Sequence, residues 1–499
     1  MLFSKIKRVI LSAGEKGQIA IVACTAFLIR LVNINMPILE GTAARQVQTA
    51  GIARFFYNHG FDILHSRLDH VAGEGGYLVL EFPLYNMILA LLYKISGGVH
   101  EWIGRLLSIF FFIGAGLFVY MIIKRFYDHK TAIIGALVFY FSPLGIIFSR
   151  TIMPDSMMLF FSTGSIFFMI FFVLGGKRWG FWASALFAMI SLMVKIQSFY
   201  ILLPLLFLVL FKQRHKCFFD YKNYLFFLIA VLPAIIWYAL GASAHKVITP
   251  DRILNYKIAN WFNPALFLSP KLYIDILKIS SGVLLTPVGF AIFLLGIFVA
   301  PRERIESVCY AWLAGVILFA CAFNALLWEP YYYLSFLPVA SIFIARAFML
   351  DWKTVFKKTF LVTKTGKIFI LFLLMLFIGR YALYAYMIPE GYRFIPEIAT
   401  AARTISAPGD ELVVSACPGS SAILYYSGRK GFFLLPPVKD KPGQVASFVD
   451  ELGGMKDKGA RYFVSADEGV FSYDSLHPYL DREYKIVDRK ENKYYIYEL

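Results

Sequence analysis

Residues 36–57 read MPILEGTAARQVQTAGIARFFY, and they follow directly on the first long apolar run, about Gln18 to Met36. The stretch opens with a carboxylate, Glu40, beside Gly41, and continues as a helix-capable run carrying Arg45, Gln46, Gln48 and Arg54. Positions 45, 48, 49 and 52 share one helical face, which mixes polar and apolar groups. An acid followed closely by Arg-Gln, just outside a membrane span, suits a loop that receives an acceptor hydroxyl and holds an anion. The rest of the chain reads as a membrane scaffold that carries this loop.

Composition supports that reading. The chain has 499 residues, 59% hydrophobic and 16% charged. A soluble globular chain averages about 45–50% apolar and about 25% charged. Many apolar runs approach the ~20 residues that a helical span needs. The sequence therefore predicts a polytopic helical membrane protein. Its net charge of +17 would suggest nucleic acid in a soluble chain. Here the Lys and Arg cluster in short segments between spans, as cytoplasmic loops do. No nucleic-acid motif accompanies them, and nucleic acid is excluded as a partner. The five cysteines, Cys24, Cys217, Cys309, Cys321 and Cys417, lack metal-ligand spacing. Only Cys417 is expected outside the cytoplasm and clear of an apolar run, so no intramolecular disulfide is expected. The N-terminal segment is basic without a small-residue cleavage site, which reads as an uncleaved first span.

Charge then orders the spans. Lys5, Lys7, Arg8 and Lys16 place the N-terminus in the cytoplasm. After the first span comes the outer loop 37–102, ending in LEFPLYNMILALLYKISG (80–97), which is too short for a comfortable span and reads as a re-entrant or interfacial helix. Further spans are expected at about Ile103–Ile123, Thr131–Phe148 and from Ser156 to just before Lys177. Two more fill Trp179 to Phe211, turning near Lys195–Ser198, and a seventh covers about Tyr224–Leu240. The eighth ends at PRER (301–304), the ninth at LLWEPYYY (326–333), the tenth at the basic linker 353–367, and the eleventh covers about Ile368–Met387. An odd count of about eleven spans puts the C-terminus outside. Residues 390–499 change character, with strands at DELVVSAC, GFFLL and RYFVSA, helices at SSAILYYSG and GQVASFVDELGGMKDKG, and a closing hairpin at YKIVDRKENKYYIYEL. The expected domains are thus a membrane domain, 1–389, whose outer loop 37–102 is catalytic, and a soluble extracytoplasmic α/β domain, 390–499.

Polar residues gather at the outer ends of these spans: Glu40 and Arg45, Glu81, Arg105, Arg150 with Asp155, Lys195, and Glu329 beside Tyr331. Each has a bland alternative. Glu40 fits a solvated loop acid, Arg54 is better read as snorkelling to head groups, and Pro154-Asp155 fits a helix start. Lys195 fits an interfacial turn, and Glu329 an aromatic belt. Together, all on one face, they favour a shared cavity, since ionisable groups at membrane depth default to functional candidates. Group transfer from a lipid-linked phosphate needs cations for the leaving phosphate, a carboxylate for the acceptor's proton and an apolar groove for the lipid.

Several stretches carry a family likeness: EGTAARQVQTAGIARFFY (40–57), EFPLYNMILALLYKISG (81–97), HEWIGRLLSIFF (100–111), FSRTIMPDSMMLFF (148–161), VKIQSFYILLPLL (194–206), WEPYYYLSFLPVASIFIARA (328–347) and ILYYSGRKGFF near the C-terminus. In their order they resemble the bacterial membrane glycosyltransferases of GT-C fold, related to dolichyl-phosphate-mannose–protein mannosyltransferases and to the lipid A aminoarabinose transferase. In that family the first outer loop carries the acidic catalytic base, usually Asp, and Glu40 is the nearest match. The resemblance implies donor-phosphate binding by Arg45, Lys195 and Arg150. Acceptor or sugar binding is expected of Glu81, Asp155, Glu329 and Tyr331, of which Asp155 matches the family's Arg…Pro-Asp element. The chain departs from the family where relatives have Lys-Pro-Pro and this chain has Glu81-Phe-Pro83. It departs again where relatives have His-Glu-Tyr-Tyr and this chain has Trp328-Glu329-Pro330-Tyr331.

The expectation is an enzyme of the bacterial plasma membrane, active on its outer face. It would move a hexosyl or pentosyl unit from a polyprenyl-phosphate donor to a hydroxyl of a glycolipid, polysaccharide or protein, with inversion as the resemblance implies. Membrane lipid is the other expected partner. The alternatives are a transporter or flippase of lipid-linked oligosaccharide, and a sensory or assembly protein whose outer domain binds a ligand. A flippase would favour two pseudo-symmetric halves, and no internal repeat is visible. No cofactor is assigned. No compact His/Asp/Glu cluster marks a metal site, and a divalent metal stays open.

Overall fold

A computed structural model describes residues 14–72, 81–244, 262–350, 373, 375–415, 419–434, 443–466, 476–490 and 493–499 of the chain. It is an α-helical polytopic membrane protein with a small C-terminal sheet. Contacts divide it into two compact units. One comprises Met1–Asn35, Gly104–Ala242 and Tyr256–Tyr386; the other comprises Met36–Ile103, Ser243–Asn255 and Met387–Leu499.

In the first unit the long helices are those of the apolar runs. Among the described residues five helical segments are long and apolar enough to cross a membrane: Glu101–Phe126, Asp155–Gly175, Ile196–Phe218, Tyr221–Leu240 and Arg304–Ala322. A sixth arises if Pro270–Leu284 and Thr286–Phe298, bent by 104°, count as one. Of the expected eleventh span, 368–387, residues 368–372 and 374 lie outside the described residues, and the rest is helical as far as residue 382 before a 3-10 turn, Leu383–Tyr386. The remaining expected spans are short or broken, for local reasons. The helix His129–Phe141 stops at Ser142, because Pro143 disfavours a helical conformation in the residue before it. Ser142 is extended there (ψ 133°), and its hydroxyl accepts from Gly145 N–H at 3.2 Å to start the helix Pro143–Phe148. The helix Leu337–Ala347 has only 11 residues, every one of them buried. It is an internal helix rather than a lipid-facing one.

Helices Asp155–Gly175 and Arg178–Val194 lie along one another through small polar residues. Ser165 and Ser184 each donate a hydroxyl hydrogen bond to the other's carbonyl, at 2.9 and 2.8 Å. Small residues let backbones approach where no water competes. The second helix ends at Lys195, which is extended (φ −157°, ψ 125°). The chain then re-forms as a 3-10 turn, Ile196–Ile201, and the helix Leu202–Gln213. That break delivers Lys195 to its partners.

The second unit holds the helices Ala43–His59 and Leu84–Ser96 of the segment 37–102, the helix Ile395–Ile405 and the sheet. The helix Leu84–Ser96, expected to be re-entrant or interfacial, packs on Ala43–His59, and Asn86 Nδ2 donates to Thr49 O at 2.8 Å. The strands are β1 (Glu411–Ser415), β2 (Lys430–Phe433), β3 (Ala460–Ala466), β4 (Lys485–Lys490) and β5 (Tyr494–Glu498). Their order is β2-β1-β3-β5-β4, parallel for β2-β1-β3 and antiparallel through the closing β4–β5 hairpin. Val413, Phe448, Leu452, Phe463, Leu480 and Tyr497 fill the core against the sheet. The β2 edge is covered at Gly431, which is buried. Residues of the segment 37–102 add to it: Val71 bridges Gly431 in parallel, Gly431 N–H donates to His70 O at 3.2 Å, and Ala72 N–H donates to Gly431 O at 2.9 Å. Gly431 fits there because a Cβ would come within 2.2 Å of Leu412 O on β1. A second apolar cluster, Ile52, Phe56, Leu68, Val71 and Ala90 with Phe433, seals the same junction.

Candidate active site

The first unit contains a buried charge cluster. Asp155 occupies the first turn of the helix Asp155–Gly175, where Pro154 stands as N-cap and the N-terminal dipole favours an anion. Lys195 Nζ donates to Asp155 Oδ1 at 2.5 Å. The two residues are 3% and 0% exposed, so the pair is withdrawn from water. The ammonium also lies 4.4 Å from the Tyr331 ring centroid and 5.6 Å from that of Tyr332, within reach for cation–π attraction. The structure thus joins three predicted residues, Asp155, Lys195 and Tyr331, and adds Tyr332. Glu329 is the N-cap of the 3-10 turn Pro330–Phe336 that presents both tyrosines.

Arg150 belongs to the same unit, but its guanidinium is directed elsewhere. Nη1 donates to Ala385 O at 3.0 Å, Nη2 to Asn33 O at 3.2 Å, and the group lies 4.2 Å from the Tyr386 ring centroid. It ties together chain segments far apart in sequence. Arg105, also fully buried, donates to Arg150 O at 3.4 Å.

The second unit holds Glu40, Arg45 and Glu81. Glu40 is fully buried, with Ile38 and Leu39 before it. The backbone around it is held on both sides. Gln46 Nε2 donates to Glu40 O at 2.6 Å, and Tyr426 OH accepts from Ile38 N–H at 2.7 Å. The next residue, Gly41, has φ +61°, a left-handed conformation that glycine adopts without strain and that turns the chain into the helix Ala43–His59. Arg45 grips Glu81 in a two-oxygen fork, Nη2 lying 2.5 and 2.6 Å from Oε1 and Oε2. Two residues expected to contact separate parts of the substrates therefore contact each other.

Sequence reasoning missed a further network in this unit. Arg54, read as a head-group contact, instead pairs with Asp69 through Nε and Nη2. It also donates to Tyr425 O at 3.1 Å and stacks 4.1 Å from the Tyr425 ring centroid. Burial opposes its charge, but Asp69 outweighs burial and holds its pKa above the ordinary value. For Asp69 burial acts upward, while His70 and Arg54 pull more strongly downward, below the usual carboxylate range. Burial pushes fully buried His70 below the usual imidazole range, against the pull of Asp69. A neutral ring with Nδ1–H toward Asp69 (3.3 Å) leaves Nε2 to accept from the Ser421 hydroxyl (3.0 Å). The only sequence hints were the adjacent acid and imidazole in HSRLDH and the tyrosine pair in ILYYSG.

Likeness to solved structures decides the fold. ArnT from Cupriavidus metallidurans in the apo state matches with a TM-score of 0.64 at 14% identity, covering 97% of this chain and 98% of that one. The same protein bound to undecaprenyl phosphate matches at 0.63 and 13%, covering 96% and 97%. The archaeal oligosaccharyltransferase AglB from Archaeoglobus fulgidus, in complex with an inhibitory peptide and a dolichol-phosphate, matches at 0.55 and 12%, covering 93% and 70%. The chain has the GT-C fold. The sequence model of the family described as dolichyl-phosphate-mannose-protein mannosyltransferase matches residues 81–237, a stretch of the GT-C chain that includes Glu81, Arg150, Asp155 and Lys195. No curated protein sequence matches. Among the described residues of this GT-C chain, no three His, Cys, Asp or Glu side chains gather as metal ligands. Cys24, Cys217, Cys309 and Cys321 are free thiols, and Cys417 lies outside the described residues.

Proposed function

We propose that the chain is a glycosyltransferase that moves a sugar from a polyprenyl-phosphate donor to an acceptor hydroxyl on the outer face of a bacterial plasma membrane. The observation that carries this reading is the buried Lys195–Asp155 pair with its tyrosine wall. Burying a charge pair costs several kcal/mol per ion, so such pairs within membrane proteins mark functional sites by default. The match to the mannosyltransferase family and the undecaprenyl phosphate bound by ArnT support the class of donor.

The proposed reaction is a displacement at C1 of the sugar. Glu40 takes the acceptor's hydroxyl proton as the oxygen bonds to C1. The bond from C1 to the phosphate oxygen breaks, and its electron pair leaves with the polyprenyl phosphate. Lys195 stabilises that departing charge through a charge-assisted contact. Attack opposite the phosphate inverts the anomeric centre. Asp155, Tyr331 and Glu329 are assigned to the sugar or acceptor. Arg45 is assigned to the phosphate with Glu81 setting its orientation, given their fork.

The test uses membranes from a deletion strain that carry the full chain. Labelled undecaprenyl-phosphate glucose, mannose, galactose and arabinose are offered in turn. Transfer of label from one of these into membrane or envelope material is expected, and Glu40→Gln should slow it about 10²–10⁴-fold, the usual contribution of a general base. Full activity in Glu40→Gln would remove the carboxylate from the mechanism. Uptake of intact donor without cleavage would point instead to a flippase.

A further inference from the structure

The backbone of the Glu40 turn is gripped by a residue nearly 400 positions away in the sequence. Tyr426 closes the helix Ser420–Ser427, and its hydroxyl accepts from Ile38 N–H at 2.7 Å while donating to Glu101 Oε2 at 3.1 Å. Burial, and next the Glu101 charge, raise the pKa of this phenol, so it stays protonated and both bonds keep their direction. The tyrosine itself is fixed from behind. Arg403 donates to Tyr426 O and, at 3.1 Å, to Ser427 O, and Arg54 holds the preceding Tyr425. The hydroxyl is therefore a rigid post against which the chain two residues before Glu40 is set. On the other side of the acid Gln46 holds Glu40 O.

We propose that Tyr426 is a positioning residue for the glycosyl transfer. Through it the C-terminal domain sets the backbone that aims the Glu40 carboxylate. The inference rests on Glu40 as the base. It gives the outer domain a part in the chemical step without any contact with substrate, and it separates turnover from donor binding.

The test is Tyr426→Phe, which keeps the ring and removes the hydroxyl, assayed in full-length protein with whichever of the four labelled donors the parent turns over. A neutral hydrogen bond of ordinary net strength corresponds to roughly a three- to tenfold effect, and kcat should fall by that factor. KM for the donor should stay at the parent value, and the melting temperature should fall only by the few degrees that one or two lost hydrogen bonds explain. Amide exchange at Ile38 should accelerate while exchange in β1 and β3 does not. In a Glu40→Gln background the same substitution should cause no further loss, because no base remains to be aimed. Parent kcat or unchanged Ile38 exchange in Tyr426→Phe, with Glu40→Gln slow, overturns the positioning role and leaves Glu40 standing. A further loss of the same size in the Glu40→Gln background overturns it as well, since the hydroxyl would then act apart from the acid. A kcat loss that vanishes at matched folded fraction does the same. If Glu40→Gln alone turns over at the parent rate, the base assignment fails first and the positioning role falls with it.

Discussion

At the scale of the residue, Lys195 poses a choice between a structural and a chemical role. Removing one partner of a buried ion pair costs about 3–5 kcal/mol, because the other charge stays behind, whereas replacing both by apolar groups is often neutral. Lys195→Met alone is therefore expected to lower the melting temperature and to slow transfer. Lys195→Met with Asp155→Leu should recover the melting temperature while transfer stays down by roughly one to two decades, the value of a charge-assisted contact. Recovery of both in the double variant would make the pair a structural device. Lys195 was legible in the sequence because an ammonium inside an apolar run has to be explained. Its partners were legible only as a set of residues at span ends. That Arg150 turns to the Ala385 and Asn33 carbonyls was not legible, since a guanidinium reaches any of several acceptors and sequence does not say which lies near.

At the scale of the element, residues 70–72 on the β2 edge and the network behind them make the second unit sensitive to acid. The folded state depresses the His70 pKa, so as pH falls below the unfolded imidazole value of about 6.5 the unfolded chain takes up a proton that the folded chain refuses. Stability falls from that point downward. Asp69 adds a second loss in the same direction, since its stabilising ionised form is surrendered as pH drops from about 3.9 through its lower folded pKa. Arg54 remains charged throughout this range. The melting temperature should therefore decline from pH 7 to pH 5, and His70→Gln should flatten that decline; an unchanged slope in the variant would place the acid sensitivity elsewhere. The strands themselves were legible from apolar runs bounded by glycine and proline. The pairing of residues 70–72 was not, because three residues show no period of two. The break at Ser142 was written in Pro143, yet it disappears when hydropathy is averaged over a span.

At the scale of the whole molecule, charge between the spans predicts a cytoplasmic N-terminus and an external C-terminus. A reporter fused after Leu499 is expected to be active only outside the cytoplasm; activity inside would break the parity on which the outer-face assignment depends. The GT-C architecture was legible because composition and the order of loose motifs survive divergence. The junction of the segment 37–102 with residues 390–499 was not, since contacts between distant segments leave no mark on either segment alone. That junction has a consequence in time. The bridge from Val71 to Gly431 spans roughly 360 residues, which a ribosome adds in roughly 20 to 70 s at about 5–20 residues per second. Over that interval the loop's sheet neighbour is still unmade, and Ile38 N–H and His70 lack their Tyr426 and Ser421 partners. A nascent chain would thus gain these contacts only after residue 431 has been made, and a chain stopped before that point would lack all of them.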